Sequence, residues 1–348
     1  MTSRDRSFSR GLAVLRQATG VVIPVFVPPG VDAERAASLL ADTVTACCSQ
    51  VADPQQVCLG VDGADYGEGL ARRIAQRSGA VVSVAPRHRG KLEAVRVGMQ
   101  RLLARSDLRY MAVVDQDGDH FANELLNLVR AAEWMVAQTG DARVVILGRR
   151  LFLHRSLGFL RGELERLADY VLVQALRYRA ALRGEPLKLA YATHLDLVPD
   201  FHSGYKLFSR AVAGRVFTVE PPLMGLGEEA VYRHACEAVM VVEPLLAGAR
   251  LGAVNRTAVN VQPISTFRLM DRAQLTADMI LWPCRRLEVP AAFVRRWLAE
   301  ALSWLQLPTL APQGREELAA VCRLVLAAYA SGDAAQEQVS LEEGPLFV

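Results

Sequence analysis

The sequence predicts an α/β protein with a mostly parallel sheet, flanked by helices and followed by a helical C-terminal extension. Two observations carry this prediction. Through the first 150 residues, short apolar runs rich in Val alternate with segments of helical periodicity, which is the pattern of a doubly wound sheet. The apolar runs are also nearly continuous, which is typical of strands buried on both faces, as parallel strands are.

The predicted strands and helices follow one another in regular order through this first half. Asp32 is expected to cap the first helix, because an aspartate just before a helical pattern accepts hydrogen bonds from free backbone N–H groups. The strands are predicted at 20–26, 57–61, 80–85, 110–114 and 144–147, and the helices at 32–48, 68–77, 91–104 and 122–137.

The second half is expected to be richer in helix. An arginine-rich helical segment is predicted at 151–189, and a further helix at 225–238. Short strands are expected within 199–210 and at 239–242, where the sequence reads VMVV. Beyond residue 271 the pattern is helical again, with tryptophans among Leu and Ala.

Charge and cysteine content exclude several classes of protein. The 348 residues include 40 basic and 37 acidic side chains, a net charge of +3, and no long basic run, so we expect no nucleic-acid partner. The six cysteines show no paired spacing, which argues against a zinc knuckle or a disulfide framework and fits a reducing cytoplasm.

No segment is predicted to cross a membrane. The most apolar long window, 235–254, contains two glutamates, a proline and an arginine, which makes it a poor span. We therefore expect a cytoplasmic protein. Arg295 and Arg296 beside Trp297 fit a helix lying on a membrane surface, so peripheral membrane association stays open, as does a homodimer formed through the C-terminal helices.

An acidic cluster follows the fourth predicted strand. Asp115, Asp117 and Asp119 alternate along the sequence DQDGD, so their side chains point to one side of an extended segment. Such carboxylates repel one another unless a cation neutralises them, and a hard divalent ion with oxygen ligands does so. We expect Mg²⁺ or Mn²⁺ together with a phosphate-bearing ligand. The alternative is an acidic turn in which Asp119 or Asn123 caps the next helix.

Two further polar clusters stand at the ends of predicted strands. Asp62, in VDGAD, can accept a hydrogen bond from a nucleobase or a ribose hydroxyl, although a plain turn explains the same residues. Residues 87–91, RHRGK, place cations and a glycine before a helix N-terminus, which suits a diphosphate. A solvated basic turn is the alternative.

An acidic pair and two histidines complete the candidates. Glu228 and Glu229 begin a predicted helix, where acids commonly complement the helix dipole. If the loop before them faces the carboxyl edge of the sheet, one of them can instead deprotonate an acceptor hydroxyl. His202 and His234 are expected to be polar packing residues.

Taken in this order, the clusters resemble the motifs of the GT-A nucleotide-sugar glycosyltransferases, most closely glycosyltransferase family 2, over roughly residues 20–245. The segments that carry the resemblance are 22–25 (VIPV, similar to VIPxYN), 61–65 (VDGAD, similar to VDDGSxD), 90–94 (GKLEA, similar to GKxxAxN), 114–117 (VDQD, similar to DxD), 200–206 (DFHSGYK, similar to DxxSGFR) and 228–229 (EE, in place of ED).

The resemblance implies a set of site residues. Asp115 and Asp117 would hold the metal, with Asp119 as a third ligand, as in polyprenol-phosphate sugar transferases. Glu229, with Glu228 beside it, would be the general base of an inverting transfer. The nucleoside-diphosphate sugar donor would contact Pro24, Val25, Asp62, Arg89, Lys91, Asp115, Gln116 and Asp117. The acceptor, a small molecule or a lipid phosphate with a hydroxyl or phosphate nucleophile, would contact Asp200, Ser203, Gly204 and Tyr205.

The resemblance also implies a division of the chain. It gives an N-terminal segment (1–19), a nucleotide-sugar-binding half (20–150), an acceptor-side half with a helical insertion (151–270) and a helical extension (271–348). The chain departs from the family at 27–29, where VPP replaces polar residues, and at the acidic pair, which ends in Glu. The alternatives are a retaining enzyme similar to glucosyl-3-phosphoglycerate synthase, a nucleotidyltransferase and a non-catalytic nucleotide-binding protein.

Overall fold

The computed structural model describes residues 3–28, 30–151, 158–194, 197–258 and 271–330. Within these residues seven strands form one sheet in the order β3-β2-β1-β4-β6-β5-β7. Neighbouring strands are parallel except at β6, which runs antiparallel to β4 and β5. The strands are β1 Thr19–Val25, β2 Val57–Val61, β3 Val81–Val84, β4 Tyr110–Val113, β5 Val144–Arg150, β6 Lys206–Ser209 and β7 Arg250–Arg256.

Helices cover both faces of this sheet, which confirms the predicted fold class. The first predicted helix is capped as expected, because the Asp32 carboxylate accepts a hydrogen bond from the Arg35 backbone N–H at 3.0 Å. The helices are Ser3–Ala18, Ala33–Gln50, Glu68–Ser78, Lys91–Leu103, Leu125–Thr139, Phe159–Arg183, Ala190–Thr193, Arg210–Val216, Cys236–Leu246, Arg272–Arg286, Ala291–Leu302, Leu307–Leu310 and Gly314–Ala330. The last four form the predicted helical extension.

The sheet separates two apolar cores. In β1, Val21 and Ile23 belong to one core and Val22 to the other, because successive side chains of a strand point to opposite faces. Every residue of β1 and β2 is buried. This two-sided burial explains why these strands read as continuous apolar runs.

Two strands differ from the prediction. Val239–Val242 is not a strand but lies within the helix Cys236–Leu246. All four of these residues are buried, so the helix has no polar face there and the sequence lacks helical periodicity. Strand β7 was not predicted, because it ends in the polar residues Asn255 and Arg256.

The register of the sheet brings the predicted clusters together. Asp62 N donates a hydrogen bond to the Val25 carbonyl at 3.1 Å, and Val114 N donates one to the Val22 carbonyl at 3.0 Å. The loops after β2 and β4 therefore leave the sheet on either side of β1, at its carboxyl edge. Ligands of open α/β sheets bind at this edge.

No helix in the described ranges is long and apolar enough to cross a bilayer.

Candidate functional site

A cavity of about 250 Å³ opens at the carboxyl edge of the sheet. One side, the strand-end wall, consists of Pro24–Phe26, Asp62, His88, Lys91, Asp115–Asp117 and Asp119. A second group of lining residues, called the helix wall, consists of Arg150, Arg161, Glu165, His202, Arg233, His234 and Glu237. Of the predicted site residues, Pro24, Val25, Asp62, Lys91, Asp115, Gln116, Asp117, Asp119 and Gly204 line this cavity.

The three carboxylates of the acidic cluster have different partners. The Asp115 Oδ1 atom lies 2.6 Å from Lys91 Nζ. Asp119 Oδ2 accepts a hydrogen bond from the Arg256 guanidinium at 2.9 Å, while its Oδ1 is buried without a hydrogen-bond partner. Asp117 accepts a bond from the Asp119 backbone N–H at 3.2 Å and makes no salt bridge with any described residue. Asp117 is thus the uncompensated charge of the cluster.

The electrostatics of Asp117 reflect this position. Burial, followed by the negative charge of Asp115, raises the pKa of the Asp117 carboxyl to about 6. Burial also raises the pKa of Asp119, against the opposing charge of Arg256. A cation at the cluster would oppose both shifts, because it favours the ionised carboxylates.

The alternative interpretation of the cluster as a helix cap is wrong. The short 3₁₀ turn Ala122–Glu124 begins after Phe121 and has no side-chain cap, and the helix Leu125–Thr139 has none either. His120 lies in the chain between the acidic cluster and this turn. Its Nδ1 accepts a hydrogen bond from the Asp115 backbone N–H at 2.9 Å, and its ring stacks on Tyr205 at 4.7 Å.

The cluster fits a divalent cation that shares its coordination with a phosphate ligand. In the described part of the chain, no three His, Cys, Asp or Glu side chains are arranged to hold a metal by themselves. Mg²⁺ is commonly bound by one or two carboxylates together with substrate phosphates. Asp117 lacks a cationic partner, and Asp119 has one buried oxygen without a partner, so the donor set matches that mode.

Asp62 holds the neighbouring loop together. Its Oδ1 accepts hydrogen bonds from the Arg89 and Gly90 backbone N–H groups at 2.9 and 3.1 Å. Its Oδ2 lies 2.7 Å from His88 Nδ1. Both carboxylate oxygens are therefore engaged, and direct recognition of a base by Asp62 stays a prediction that this arrangement does not favour.

An aromatic cluster stands beside Asp62 at the predicted donor side. The rings of Phe26 and His88 stack at 5.0 Å, and Tyr66 lies 4.5 Å from His88. Gln116 fixes this cluster to the acidic one: its Nε2 donates to the Phe26 carbonyl at 2.6 Å, and its Oε1 accepts from the Phe26 N–H at 3.1 Å. The sequence analysis missed these rings, although a lone aromatic after the first strand was a signal.

Lys91 links the two walls. Its Nζ lies 2.6 Å from Asp115 and 2.7 Å from Glu237, and Glu237 also pairs with the buried Lys206. Burial opposes the ionisation of Glu237, but the charges of Lys206 and Lys91 outweigh it and hold the pKa of that carboxyl below its usual value. Sequence reasoning missed Glu237, whose signal was a single acid in the apolar run CEAVMVV.

Six predicted residues do not line the cavity, and three of them are Arg89, Glu228 and Glu229. Arg89 turns away: it pairs with Glu220 at 2.9 Å and Glu228 at 3.1 Å, and its guanidinium lies 3.7 Å from the centre of the Tyr232 ring. The Glu229 side chain is 65% exposed and pairs with Arg233 at 2.8 Å. The general-base role of Glu228 or Glu229 stays a prediction without support from this arrangement.

The predicted acceptor loop is held by hydrogen bonds to other segments of the protein. Asp200 pairs with Arg150, accepting from its Nε at 2.9 Å. Ser203 Oγ donates to the Gly148 carbonyl, and Tyr205 donates to the Phe121 carbonyl at 3.1 Å. A Cβ at Gly204 would lie 2.5 Å from Asp115 Oδ2 and 3.0 Å from Lys91 Nζ. Glycine therefore lets this loop touch the acidic cluster.

The helix wall carries two Asp–His pairs that sequence reasoning did not find. His202 Nδ1 lies 2.7 Å from Asp169 of the helix Phe159–Arg183. His234 Nδ1 lies 2.7 Å from Asp278 of the helix Arg272–Arg286. His234 ends a π-helical turn, Ala230–His234, a feature frequent at functional sites. Acids within otherwise apolar helical segments were the available signal.

Two solved structures resemble the chain distantly. No protein-family model matches the chain, and no curated protein matches it in sequence. A crystal structure of a mycobacterial protein has a TM-score of 0.43 at 17% identity, and the match covers 80% of this chain and 78% of that one. Residues 1–349 of S. aureus TarS give a TM-score of 0.40 at 12% identity, covering 92% and 93%. Similarity at this level carries no argument about activity.

Proposed function

We propose that this protein is a metal-dependent glycosyltransferase that transfers a sugar from a nucleoside-diphosphate sugar to a hydroxyl or phosphate acceptor. One observation carries the proposal. At the carboxyl edge of a parallel sheet, a cavity contains a carboxylate, Asp117, that no described cation neutralises, next to Asp115. The resemblance of the sequence motifs to glycosyltransferase family 2 supports the interpretation of this arrangement as the binding site of a sugar nucleotide.

The strand-end wall suits the nucleobase and the diphosphate of the donor. The stacked Phe26 and His88 rings offer a face on which a nucleobase can stack. The helix Lys91–Leu103 begins beside the cavity, and its N-terminus favours the negative charge of a diphosphate. Lys91 adds a second positive charge, oriented by Asp115 and Glu237.

Asp115 and Asp117, with the free oxygen of Asp119, would hold Mg²⁺ or Mn²⁺. The bound cation would supply neutralisation of the charge that develops on the departing nucleoside diphosphate. Asp115 is held by Lys91, and its loop is fixed by Gln116 and His120. The protein therefore presents these carboxylates in a preorganised position, which is the main requirement for electrostatic stabilisation of such a transfer.

A binding panel tests the donor and the metal together. The melting temperature would be measured with UDP-, GDP- and ADP-glucose, each with Mn²⁺, Mg²⁺ or EDTA, in the natural protein and in Asp117→Asn. We expect one nucleotide sugar to raise the melting temperature only with the cation, and Asp117→Asn to abolish the rise. Equal stabilisation of both proteins, or none in the natural protein, contradicts the proposal.

A turnover assay separates this activity from its closest alternative. The natural protein would be incubated with the stabilising nucleotide sugar and, separately, with the nucleoside triphosphate plus a sugar 1-phosphate. Release of nucleoside diphosphate from the sugar nucleotide supports a glycosyltransferase. Release of pyrophosphate from the triphosphate identifies a nucleotidyltransferase instead.

A further inference from the structure

The pair formed by His202 and Asp169 has the arrangement of a proton acceptor and its orienting carboxylate. Both side chains are almost completely buried, and His202 lines the cavity. Its Nδ1 lies 2.7 Å from Asp169 Oδ1. The second ring nitrogen, Nε2, is buried and has no hydrogen-bond partner among the residues that the structure describes. A buried acceptor without a partner destabilises the folded protein, so this atom is fitted to a group that arrives with a ligand.

The surroundings assign the proton to Nδ1. An ionised carboxylate can only accept a hydrogen bond, so the nitrogen that faces Asp169 is the donor. The other charged groups near the pair neutralise one another: Arg150 pairs with Glu165 at 2.9 Å and with Asp200, and Arg161 pairs with Glu165 at 2.8 Å. In the neutral imidazole, Nε2 then carries the lone pair that a general base requires.

The position of His202 in the chain brings it close to the donor site. His202 is two residues before Gly204, so their Cα atoms are at most about 7 Å apart. Gly204 in turn touches Asp115, since a Cβ at this position would lie 2.5 Å from Asp115 Oδ2. His202 thus lies near the acidic cluster and lines the same cavity.

We propose that His202 Nε2 accepts the proton of the acceptor hydroxyl during sugar transfer, with Asp169 as the residue that orients it. This inference rests on the proposed glycosyltransferase function. In the step, the O–H bond of the acceptor breaks and its proton passes to Nε2. The oxygen forms a bond with the anomeric carbon, and the bond from that carbon to the diphosphate breaks, so that the electron pair leaves with the nucleoside diphosphate.

Hydrolysis of the nucleotide sugar that binds in the melting-temperature panel tests the step, with water as the acceptor. We expect His202→Ala to bind that donor as the natural protein does, and to lower kcat by about 100-fold or more. Added imidazole is expected to restore part of the rate, which a merely structural loss would not allow. His194→Ala, which removes an exposed histidine outside the cavity, is the control and should leave kcat unchanged.

Three results would overturn the inference. They are an unchanged kcat in a folded, donor-binding His202→Ala protein, a loss of donor binding that accounts for the lost rate, and a lack of rescue by imidazole. If the natural protein hydrolyses no nucleotide sugar, the proposed function itself fails, which is distinguishable because no variant is involved.

A spectroscopic measurement covers the case in which His202→Ala does not fold. In ¹⁵N NMR spectra of the natural protein at pH 7, His202 is expected to carry its proton on Nδ1, with Nε2 unprotonated. Asp169→Asn is expected to shift this tautomer toward Nε2–H and to lower kcat. An Nε2–H tautomer in the natural protein would contradict the assignment.

Discussion

The two walls of the cavity handle charge in opposite ways. On the helix wall, Glu165 and Asp200 pair with Arg150, and Asp169 pairs with His202. On the strand-end wall, Asp117 has no cationic partner among the described residues, and its pKa is raised to about 6. The acids of the helix wall are paired within the protein, whereas the strand-end wall keeps a carboxylate available to a cation. This difference separates a paired charge network from a candidate cation site.

The largest effect is expected where the helix wall is broken. Arg150→Met leaves Asp200 and Glu165 buried without their main cationic partner. Removal of one partner of a buried ion pair costs about 3–5 kcal/mol of folding free energy, and we expect a loss of that size. Urea unfolding would measure the loss. Arg296→Met removes an exposed arginine paired with Glu300 and should leave the free energy of unfolding nearly unchanged. Equal effects of the two substitutions would contradict this view of the helix wall.

A smaller effect is expected where the two walls touch. In Gly204→Ala, the new methyl group would lie 2.5 Å from Asp115 Oδ2, and crowding of this kind costs about 1–3 kcal/mol. Displacement of Asp115 by this methyl group should also weaken cation-dependent donor binding in the melting-temperature panel. Gly227→Ala is the matched control, because a Cβ there meets no atom within 4 Å. A Gly204→Ala protein with natural stability and donor binding would show that the loop does not set the position of Asp115.

The dependence of stability on pH tests the strand-end wall directly. The pKa of Asp117 is raised above its value of 3.8 in the unfolded chain to about 6. The contribution of this carboxyl to the stability of the folded protein is therefore present below pH 4 and is lost as the pH rises to 6. Without a cation, we expect the natural protein to lose about 1–2 kcal/mol of this contribution over that window. Asp117→Asn should lack this part of the change. Identical pH profiles for the two proteins would mean that ionisation of Asp117 does not destabilise the folded protein.

The smallest effect is expected at the residue that links the walls. Lys91→Met removes the cation between Asp115 and Glu237, and we expect the affinity for the nucleoside diphosphate in EDTA to fall about fivefold, or about 1 kcal/mol. Isothermal calorimetry would measure it. Lys188→Met, which removes a lysine bonded to the Gly248 carbonyl away from the cavity, should leave that affinity unchanged. A stronger affinity in Lys91→Met would reverse the proposed role of Lys91.

The carboxylates of the strand-end wall could be predicted from the sequence, because they follow strands directly. Asp62 and Asp115 stand immediately after buried apolar runs, and the sheet order places those runs on either side of β1. The helix wall could not be predicted in this way. Asp169 and His202 are 33 residues apart, and only the packing of the helix Phe159–Arg183 brings them together. The strand predicted at 239–242 failed for a related reason, since burial on all sides removes helical periodicity.

Gln116 gives the strand-end wall a further property. It stands between Asp115 and Asp117, and its side-chain amide bonds both the N–H and the carbonyl of Phe26. Gln116 therefore ties the two carboxylates to the backbone that carries the aromatic ring. Nucleoside and cation would then each raise the affinity of the protein for the other by the same factor, as thermodynamic linkage requires of two ligands that favour one arrangement. A single amide would thus make occupation of the site cooperative.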